Sequence, residues 1–400
     1  SGVSPDVAVL ADQVSAAEVA LVAESTPAIT GVSPDPVAAG AAVSLEVDGS
    51  AFGEFEAEIP GDTRVELDGT PLQTELWSNE RVEASSEATV SDGKVVVRTC
   101  GIASEPFSLR VLRSELDTAT LTLPTCEGLQ VVEAAIRPGA EGLLVAASCG
   151  APPAGGALAV IAGAGCTLSL EAALPALDVV PAALAIEPEG AAAWVGHAGG
   201  LVKVSLATGD DEEGPTVDGG VGALAATAGG LYAVSSGPSP GLWWVLNGSV
   251  TAVDAMNLTP VEVEAASPEV KVLAAGDQGA GWIVAVAEGI TLSTSRLDGC
   301  TKPRALAVGE GGTAAALCSD GLEEVLVVAA DGEDGTLGVV LGKPGSFAGP
   351  VFDARGDVVL VLGGATNEVR AFDAGDGKLE PLSTWALGAL SAAAPVVAFP

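Results

Sequence analysis

Apolar and polar residues alternate with a period of two along much of this chain. Clear runs are 43–47, 64–67 and 94–97, each bounded by Gly, Asp or Pro. Because successive side chains of a strand point to opposite faces, this pattern predicts strands with one buried face. Segment 14–24 is partly amphipathic at helical spacing, but its alternation fits a strand equally well. With 52 glycines and 25 prolines available for turns, we expect an all-β chain.

The C-terminal three quarters of the chain carries a weak internal repeat. Each unit has an apolar strand led by Pro or Gly, a glycine turn and a second apolar strand. Several third strands end in a Gly or Asp turn, as at 202–209 and 325–332. A spacing of about forty residues is typical of propeller blades. The units are found at 131–138, 181–188, 221–226, 270–275, 303–308, 350–353 and 395–400.

On these repeats, 112–400 resembles bacterial seven-bladed β-propellers of the YVTN or lactonase-like type. Six units are visible, and a seventh begins at Pro395 but stops after one strand. Closing the ring then requires strands from elsewhere, and 112–123 is the natural donor. Closure by both chain ends would leave no exposed sheet edge.

Six segments between 27 and 111 form an earlier unit. Its opening strand is 27–34, and 43–53 is a second strand that ends in a glycine turn. In this order of strands and turns, 27–111 resembles an IPT/TIG immunoglobulin-like domain. The resemblance implies an immunoglobulin-like sandwich that stiffens, spaces or binds in a larger extracellular protein. The four remaining segments are 65–72, 77–82, 93–97 and 104–109.

The chain is strongly acidic because it contains few basic residues. Asp and Glu number 53 against 16 Lys and Arg, which gives a formal charge of -37, although only 17% of residues are charged. Such a surface repels phosphate backbones and anionic lipid head groups. We therefore expect no nucleic-acid partner and no peripheral membrane binding, whereas a cationic partner or divalent ions remain compatible.

No apolar run reaches the roughly 18 residues that a membrane-spanning helix needs. The most apolar stretch, 385–400, is interrupted by Pro395. The chain begins at Ser1, and no charged-then-apolar leader precedes it. We infer that a targeting peptide has been removed or that the sequence has been trimmed.

The six cysteines predict disulfides in an oxidising compartment. No CxxC motif is present and His197 is the only histidine, so zinc and haem sites are not expected. Two pairs occupy the same two places of a blade, before the first strand and at the end of the second, where a hairpin brings them together. This predicts Cys126–Cys149 and Cys300–Cys318, which leaves Cys100 for Cys166. The alternative pairs Cys100 with Cys126 and Cys149 with Cys166.

Residues 1–26 form an N-terminal extension with two open interpretations. A flexible leader is common at a chain end. Alternatively, the extension is a strand that pairs with another subunit, because 7–10 and 19–22 are apolar for a free tail. In that case Val7, Val9 and Leu10 are candidate partner contacts.

Few residues carry candidate chemistry. His197 could act in a propeller funnel as a general base or metal ligand, but without a second imidazole a structural role is favoured. The acidic runs 210–213 and 331–335 could coordinate calcium, although neither has EF-hand spacing and solvated turns explain both. Trp243 and Trp244 would face opposite sides of a strand, one in a blade interface and the other outward, where it could contact a partner or stack on a sugar.

These features predict a non-catalytic bacterial protein at the cell surface, outside the cell or in the periplasm. We expect a structural subunit of a surface assembly, such as a filament of its own copies, or a scaffold that binds a protein partner, without a cofactor. Two alternatives stay open. One is a lactonase-like hydrolase with inward carboxylates and Arg around His197, and the other is a carbohydrate-binding surface protein.

Overall fold

The computed structural model describes most of the chain and divides it into two compact units, Ser1–Ser114 and Glu115–Pro400. The domain limits at 26/27 and 111/112 remain predictions. The only helical segments among the described residues are two 3-10 turns, Asp277–Gly279 and Glu310–Gly312. No helix in the described ranges has the length and apolar character to cross a membrane. The described residues are 26–33, 35, 37–38, 43–53, 63–86, 93–99, 102–109, 111–112, 126, 128–138, 142–150, 155–164, 167–238, 240–266, 268–319, 321–335, 338–343, 346–352, 358–363, 368–374 and 379–386.

Within its described residues, the first unit contains two antiparallel sheets. A two-residue parallel pairing between its second and eleventh strands accompanies them. The strands are β1 (Ala28–Ser33), β2 (Val37–Ala38), β3 (Val43–Ser50), β4 (Arg64–Leu67), β5 (Thr70–Pro71), β6 (Gln73–Trp77), β7 (Arg81–Ser86), β8 (Lys94–Thr99), β9 (Ile102–Ala103), β10 (Phe107–Ser108) and β11 (Val111–Leu112). One sheet has the order β1-β3-β7-β6 and the other β10-β8-β4-β5, with β9 also pairing with β8.

The two sheets of the first unit share one hydrophobic core. On β3, Val43, Leu45 and Val47 are buried while the residues between them are not, which confirms the period-two prediction for 43–47. Val65 of β4 and Val95 of β8 enter the same core from the other sheet. Burying one such aliphatic side chain stabilises the fold by about 1.5–3 kcal/mol.

The second unit contains six four-stranded antiparallel sheets within its described residues. In each sheet the strands follow one another in sequence order, and the first strand of each sheet lies beside the first strand of the next. This is the blade arrangement of a β-propeller. The blades are β12–β15 (Gln130–Ile136, Gly142–Cys149, Gly155–Ala164, Thr167–Ala173), β16–β19 (Ala183–Ile186, Ala192–His197, Gly200–Ser205, Asp211–Glu213), β20–β23 (Val221–Thr227, Gly230–Ser235, Leu242–Leu246, Ser249–Val253), β24–β27 (Thr259–Ala266, Glu269–Ala275, Ala280–Ala287, Ile290–Thr301), β28–β31 (Pro303–Val308, Ala314–Ser319, Glu324–Ala329, Val339–Gly342) and β32–β35 (Phe347–Phe352, Val358–Gly363, Glu368–Asp373, Glu380–Ala386).

The fourth blade begins earlier than the sequence repeat indicated. The run 270–275, which the repeat predicts as the opening of that unit, lies in the second strand, β25, and the first strand is β24. The reason is that Pro260, Glu262 and Glu264 interrupt the apolar pattern of β24. The structure therefore corrects the assignment of this repeat.

Five of the six first strands share a local irregularity. Each shifts its register with the second strand soon after it begins, which is the behaviour of a β-bulge. The common position of the shifts supports a repeated blade, although the internal sequence repeat is weak. The shifts fall between Val131 and Glu133, Val221 and Ala223, Pro260 and Glu262, Pro303 and Ala305, and Phe347 and Pro350.

Apolar clusters fill all five interfaces between consecutive described blades. The first and second blades, for example, meet through Leu144 and Leu158 on one side and Val195 and Val204 on the other. Corresponding clusters lie between each later pair. The core of this unit is thus divided among the interfaces.

Ring closure concerns segments that lie mostly outside the described residues. Most of 112–123 and all of 395–400 fall there, so a seventh blade remains a prediction. Leu112 itself belongs to β11 and pairs with Ala38 of the first unit. The expectation that it helps to close the ring is therefore wrong for this residue.

Among the described residues two disulfides are present, and they have the pairing that the blade positions predicted. Cys126 bonds to Cys149 and Cys300 bonds to Cys318. The second bond differs from the expected hairpin closure because Cys300 lies in β27, the outermost strand of the fourth blade, whereas Cys318 lies in β29 of the fifth. This bond thus fastens one blade to the next. The alternative scheme for Cys126 and Cys149 is excluded.

Candidate binding cleft between two blades

A cleft of about 560 Å³ opens between the fourth and fifth blades. It lies where the first strand of each blade turns into the second, namely between β24 and β25 and between β28 and β29. We call it the Lys271 cleft. It is lined by Ala265, Ala266, Pro268, Glu269, Lys271, Val308, Gly309, Gly311, Gly312 and Asp331.

Lys271 is the buried charge at this site. Its side chain is 4% exposed, and Nζ lies 2.6 Å from Asp331 Oδ1 and 3.1 Å from Glu269 Oε2. Burial alone would lower the pKa of Lys271, but the ion pairs with these two carboxylates outweigh it and hold the pKa above its usual value. Because Asp331 follows β30 and Lys271 lies in β25, this charged group also ties the two blades together.

A glycine turn makes room for Asp331. Gly311 and Gly312 both have positive φ, 80° and 82°, a conformation that residues with a Cβ rarely adopt. A Cβ on Gly312 would lie 3.1 Å from Asp331 Cγ. The turn after β28 therefore needs glycine both for its backbone and for the close approach of the carboxylate.

Three glutamates on first strands form a second charged group, the axial carboxylates. Glu133 belongs to β12 of the first blade, while Glu262 and Glu264 belong to β24 of the fourth. Glu133 interacts electrostatically with both others. Since these blades are not neighbours, the carboxylates approach each other across the space that the first strands surround. Glu133 Oε2 also accepts a hydrogen bond from Leu184 N at 2.6 Å.

The axial carboxylates hold their protons far more tightly than exposed glutamates do. Burial and the nearby charge of Glu264 raise the pKa of Glu133 to about 8. Burial and the charge of Glu262 raise the pKa of Glu264 to about 8, and burial raises the pKa of Glu262 to about 7. The side chains are half-buried, so they touch solvent, but protein surrounds the space that they share. Near pH 7, Glu133 and Glu264 are therefore largely protonated, while Glu262 is about half ionised.

Other polar groups fasten further blade interfaces. Glu324 of β30 is fully buried, pairs with Arg304, and accepts hydrogen bonds through Oε2 from Ser346 N at 3.0 Å and Phe347 N at 2.9 Å. Tyr232 lies in β21 of the third blade, and its hydroxyl oxygen accepts a hydrogen bond of 3.1 Å from Gly289 N in the fourth. Buried polar atoms are thus used to join blades.

His197 lies at the tip of a hairpin in the second blade. It ends β17, a second strand, and its Nδ1 accepts a hydrogen bond of 3.1 Å from Gly199 N in the following turn. Burial lowers its pKa, against the opposing charge of Glu213. The inward carboxylates that would favour a hydrolase exist, but the groups that His197 interacts with are Gly199 N and Glu213.

The acidic runs act within strands and turns. Asp211, Glu212 and Glu213 form the exposed outermost strand of the second blade. In the run 331–335, Asp331 pairs with Lys271, and Asp334 Oδ1 accepts a hydrogen bond from Arg296 N. Among the residues that the structure describes, no group of three or more His, Cys, Asp or Glu side chains is placed to hold a metal ion.

Trp243 and Trp244 point to opposite faces of β22, as strand alternation requires. Trp243 packs in the cluster between the second and third blades, and Trp244 packs in the cluster between the third and fourth. Trp244 Nε1 donates a 3.1 Å hydrogen bond to Gly229 O. Both rings are half-buried, so neither extends freely outward, and their role as partner contacts remains a prediction.

Five further sequence candidates lie outside the described residues. They are Val7, Val9, Leu10, Cys100 and Cys166. No sequence pattern joins Lys271 to Asp331, because these residues are sixty positions apart. The sequence signal for a charged site is a lysine inside the apolar run 270–275 of a chain that contains few lysines.

Comparison with known proteins yields no matching family model and no matching curated protein. Among solved structures, the chain is similar to the Kuenenia stuttgartiensis hydrazine synthase, with a TM-score of 0.50 and 12% identity over 64% of this chain and 80% of that one. The WD40 β-propeller domain of Doa1 aligns with a TM-score of 0.47 and 16% identity over 68% and 86%. An auxiliary nutrient-binding protein of Bacteroides thetaiotaomicron aligns with a TM-score of 0.45 and 11% identity over 90% and 98%. At these identities the likeness concerns the fold alone.

Proposed function

We propose that this chain is a non-catalytic scaffold that binds a protein partner through its propeller. The Lys271 cleft is the observation that carries the proposal. It is an open recess whose carboxylates are held in place by a buried ammonium, so little ordering is needed when a partner binds. The acidic surface of the chain would also speed association with a basic partner. The proposal includes a role as a structural subunit of a surface assembly or filament. In that role, residues 1–26 would pair with another subunit.

We further propose that the first unit is an immunoglobulin-like domain of the IPT/TIG type. Its strand order supports this. The sheet β1-β3-β7-β6 corresponds to the order A-B-E-D, and β10-β8-β4 corresponds to G-F-C of an immunoglobulin sandwich. The assignment of the second unit to the YVTN or lactonase-like propellers, with seven blades, is proposed on the repeat alone.

The proposed location is the cell surface, the extracellular space or the periplasm of a bacterium. The two disulfides support a compartment outside the cytoplasm, since cytosolic thiols are kept reduced. The Ala-rich, Lys-poor composition supports a bacterial source.

Site-specific photo-cross-linking in the producing cells tests the scaffold. A photoreactive residue at Ala265, in the cleft, should give one discrete adduct of higher mass. The same residue at Asp277, an exposed position beyond the other end of β25, should not. If neither position cross-links, or if both give the same set of adducts, the cleft is not the binding face and the proposal fails.

A second candidate function is hydrolysis, and the axial carboxylates favour it. Carboxyl groups with pKa values near 7–8 are suited to donate a proton near neutral pH. The test is turnover of a lactone panel by the wild-type chain and by Glu133→Gln. Turnover that is lost in the variant supports an enzyme, and absence of turnover by the wild type rejects the lactonase version.

A further inference from the structure

We propose that the Lys271 cleft binds a guanidinium or ammonium group, presented as an arginine or lysine side chain by the protein partner. This inference rests on the proposed scaffold function and names the chemistry of its partner.

The charge inside the cleft is unbalanced. Lys271 contributes one positive charge, and Asp331 and Glu269 contribute two negative charges, which leaves one net negative charge. Each carboxylate uses one oxygen on Nζ. Within the described ranges, Asp331 Oδ2 and Glu269 Oε1 have no hydrogen-bond partner. Because both carboxylates contact the same ammonium, these acceptors belong to one small site.

The sign of the charge selects a cation over an anion. The ammonium is buried behind its partners, with a side chain 4% exposed, whereas Asp331 is 55% exposed and Glu269 30%. An incoming anion would therefore meet the carboxylates first. An incoming guanidinium could bond to carboxylate oxygens in its plane, which is the geometry that arginine prefers.

The walls of the cleft suit the stem of such a side chain. Ala265 and Ala266 are small residues on the side of the fourth blade, and Val308 with the glycines of the following turn forms the side of the fifth. The methylene groups of arginine or lysine pack well against such surface while the charged end stays polar. The volume of about 560 Å³ exceeds what one cationic head group needs, so a segment of the partner chain can enter with it.

Isothermal titration calorimetry on the full chain tests this inference with a matched pair of peptides. The probe is acetyl-Gly-Arg-Gly-amide, and its control replaces arginine with citrulline, which keeps the shape and removes the charge. We expect the arginine peptide to bind about two- to fivefold more tightly, the scale of one partly exposed ion pair. Asp331→Asn should remove this preference, whereas Asp277→Asn should keep it. Raising the salt concentration should weaken only the arginine peptide.

Several outcomes would overturn the inference. Equal affinity for the two peptides removes the role of charge, and an equal loss in Asp277→Asn reduces binding to general attraction by an acidic chain. Free arginine that binds as tightly as the peptide would point to a small molecule rather than a protein partner. If Asp331→Asn does not fold, Glu269→Gln serves as the test variant. If a partner still cross-links at Ala265 while both peptides bind alike, this inference fails and the scaffold function survives.

Discussion

The axial carboxylates predict a propeller that is more stable in mild acid than at neutral pH. Their pKa values are raised in the folded chain, Glu133 to about 8 from a usual value of 4.5. The folded state then binds protons more tightly than the unfolded state. The contribution to stability is therefore fully present below about pH 4.5, falls between pH 4.5 and 8, and is lost above pH 8.

The magnitude follows from the shift of Glu133. One pKa unit corresponds to about 1.4 kcal/mol, so the linkage at pH 7 approaches about 3 kcal/mol for a fully isolated group. The side chain touches solvent and is coupled to Glu264, which reduces the effect. The wild type should lose unfolding free energy between pH 5 and pH 7, and we expect this loss to be smaller by about 1–3 kcal/mol in Glu133→Gln. Glutamine retains an oxygen that can accept the hydrogen bond from Leu184 N.

Urea unfolding followed by tryptophan fluorescence at pH 5, 7 and 8.5 measures this effect. Glu189→Gln is the matched control, since Glu189 lies exposed in the turn after β16. The wild type and Glu189→Gln should lose stability together as the pH rises, while Glu133→Gln should lose less. If all three chains show the same pH dependence, the axial carboxylates do not carry raised pKa values and the reasoning is refuted.

Three further predictions concern the ties between blades. Lys271→Met should lower the unfolding free energy by about 1–3 kcal/mol, because it leaves two carboxylates facing each other without a cation. Calorimetry at low and high salt should show that this loss becomes smaller as the salt concentration increases. Replacing Cys300 and Cys318 together by Ala should lower the unfolding free energy by about 2–4 kcal/mol. Urea unfolding of the variant and of the wild type, with and without reductant, measures this loss. An equal unfolding midpoint for the variant and the oxidised wild type would contradict the prediction. Tyr232→Phe should cost about 1–2 kcal/mol because Gly289 N loses its acceptor, and hydrogen exchange at that amide should accelerate while distant amides stay unchanged.

The sequence predicted the local features of this fold better than its charged sites. Alternation identified strands such as 43–47 because one face of each is buried against the facing sheet. The cysteine positions identified the Cys126–Cys149 bond because hairpin geometry places strand ends side by side. They also paired Cys300 with Cys318 correctly, although that bond joins two blades and does not close a hairpin. Blade four was misplaced because the glutamates of β24 break the apolar pattern, and those same residues form the axial group.

The charged sites escaped prediction because their members come from different blades. Lys271 meets Asp331 from the next blade, and Glu133 meets Glu264 from a blade that is not its neighbour. Such pairs depend on how sheets are arranged around an axis, which no local periodicity encodes. The available signal is a lysine or a glutamate inside an apolar strand, as at Lys271 and Glu133.

The apolar clusters of the second unit have a consequence for how the chain can be divided. Each cluster draws its side chains from two consecutive blades, so no single sheet has a complete hydrophobic core of its own. Removing one blade would expose apolar surface on both flanking sheets. Protease cutting within a blade should therefore yield either intact protein or general digestion, with no durable fragment of two or three blades.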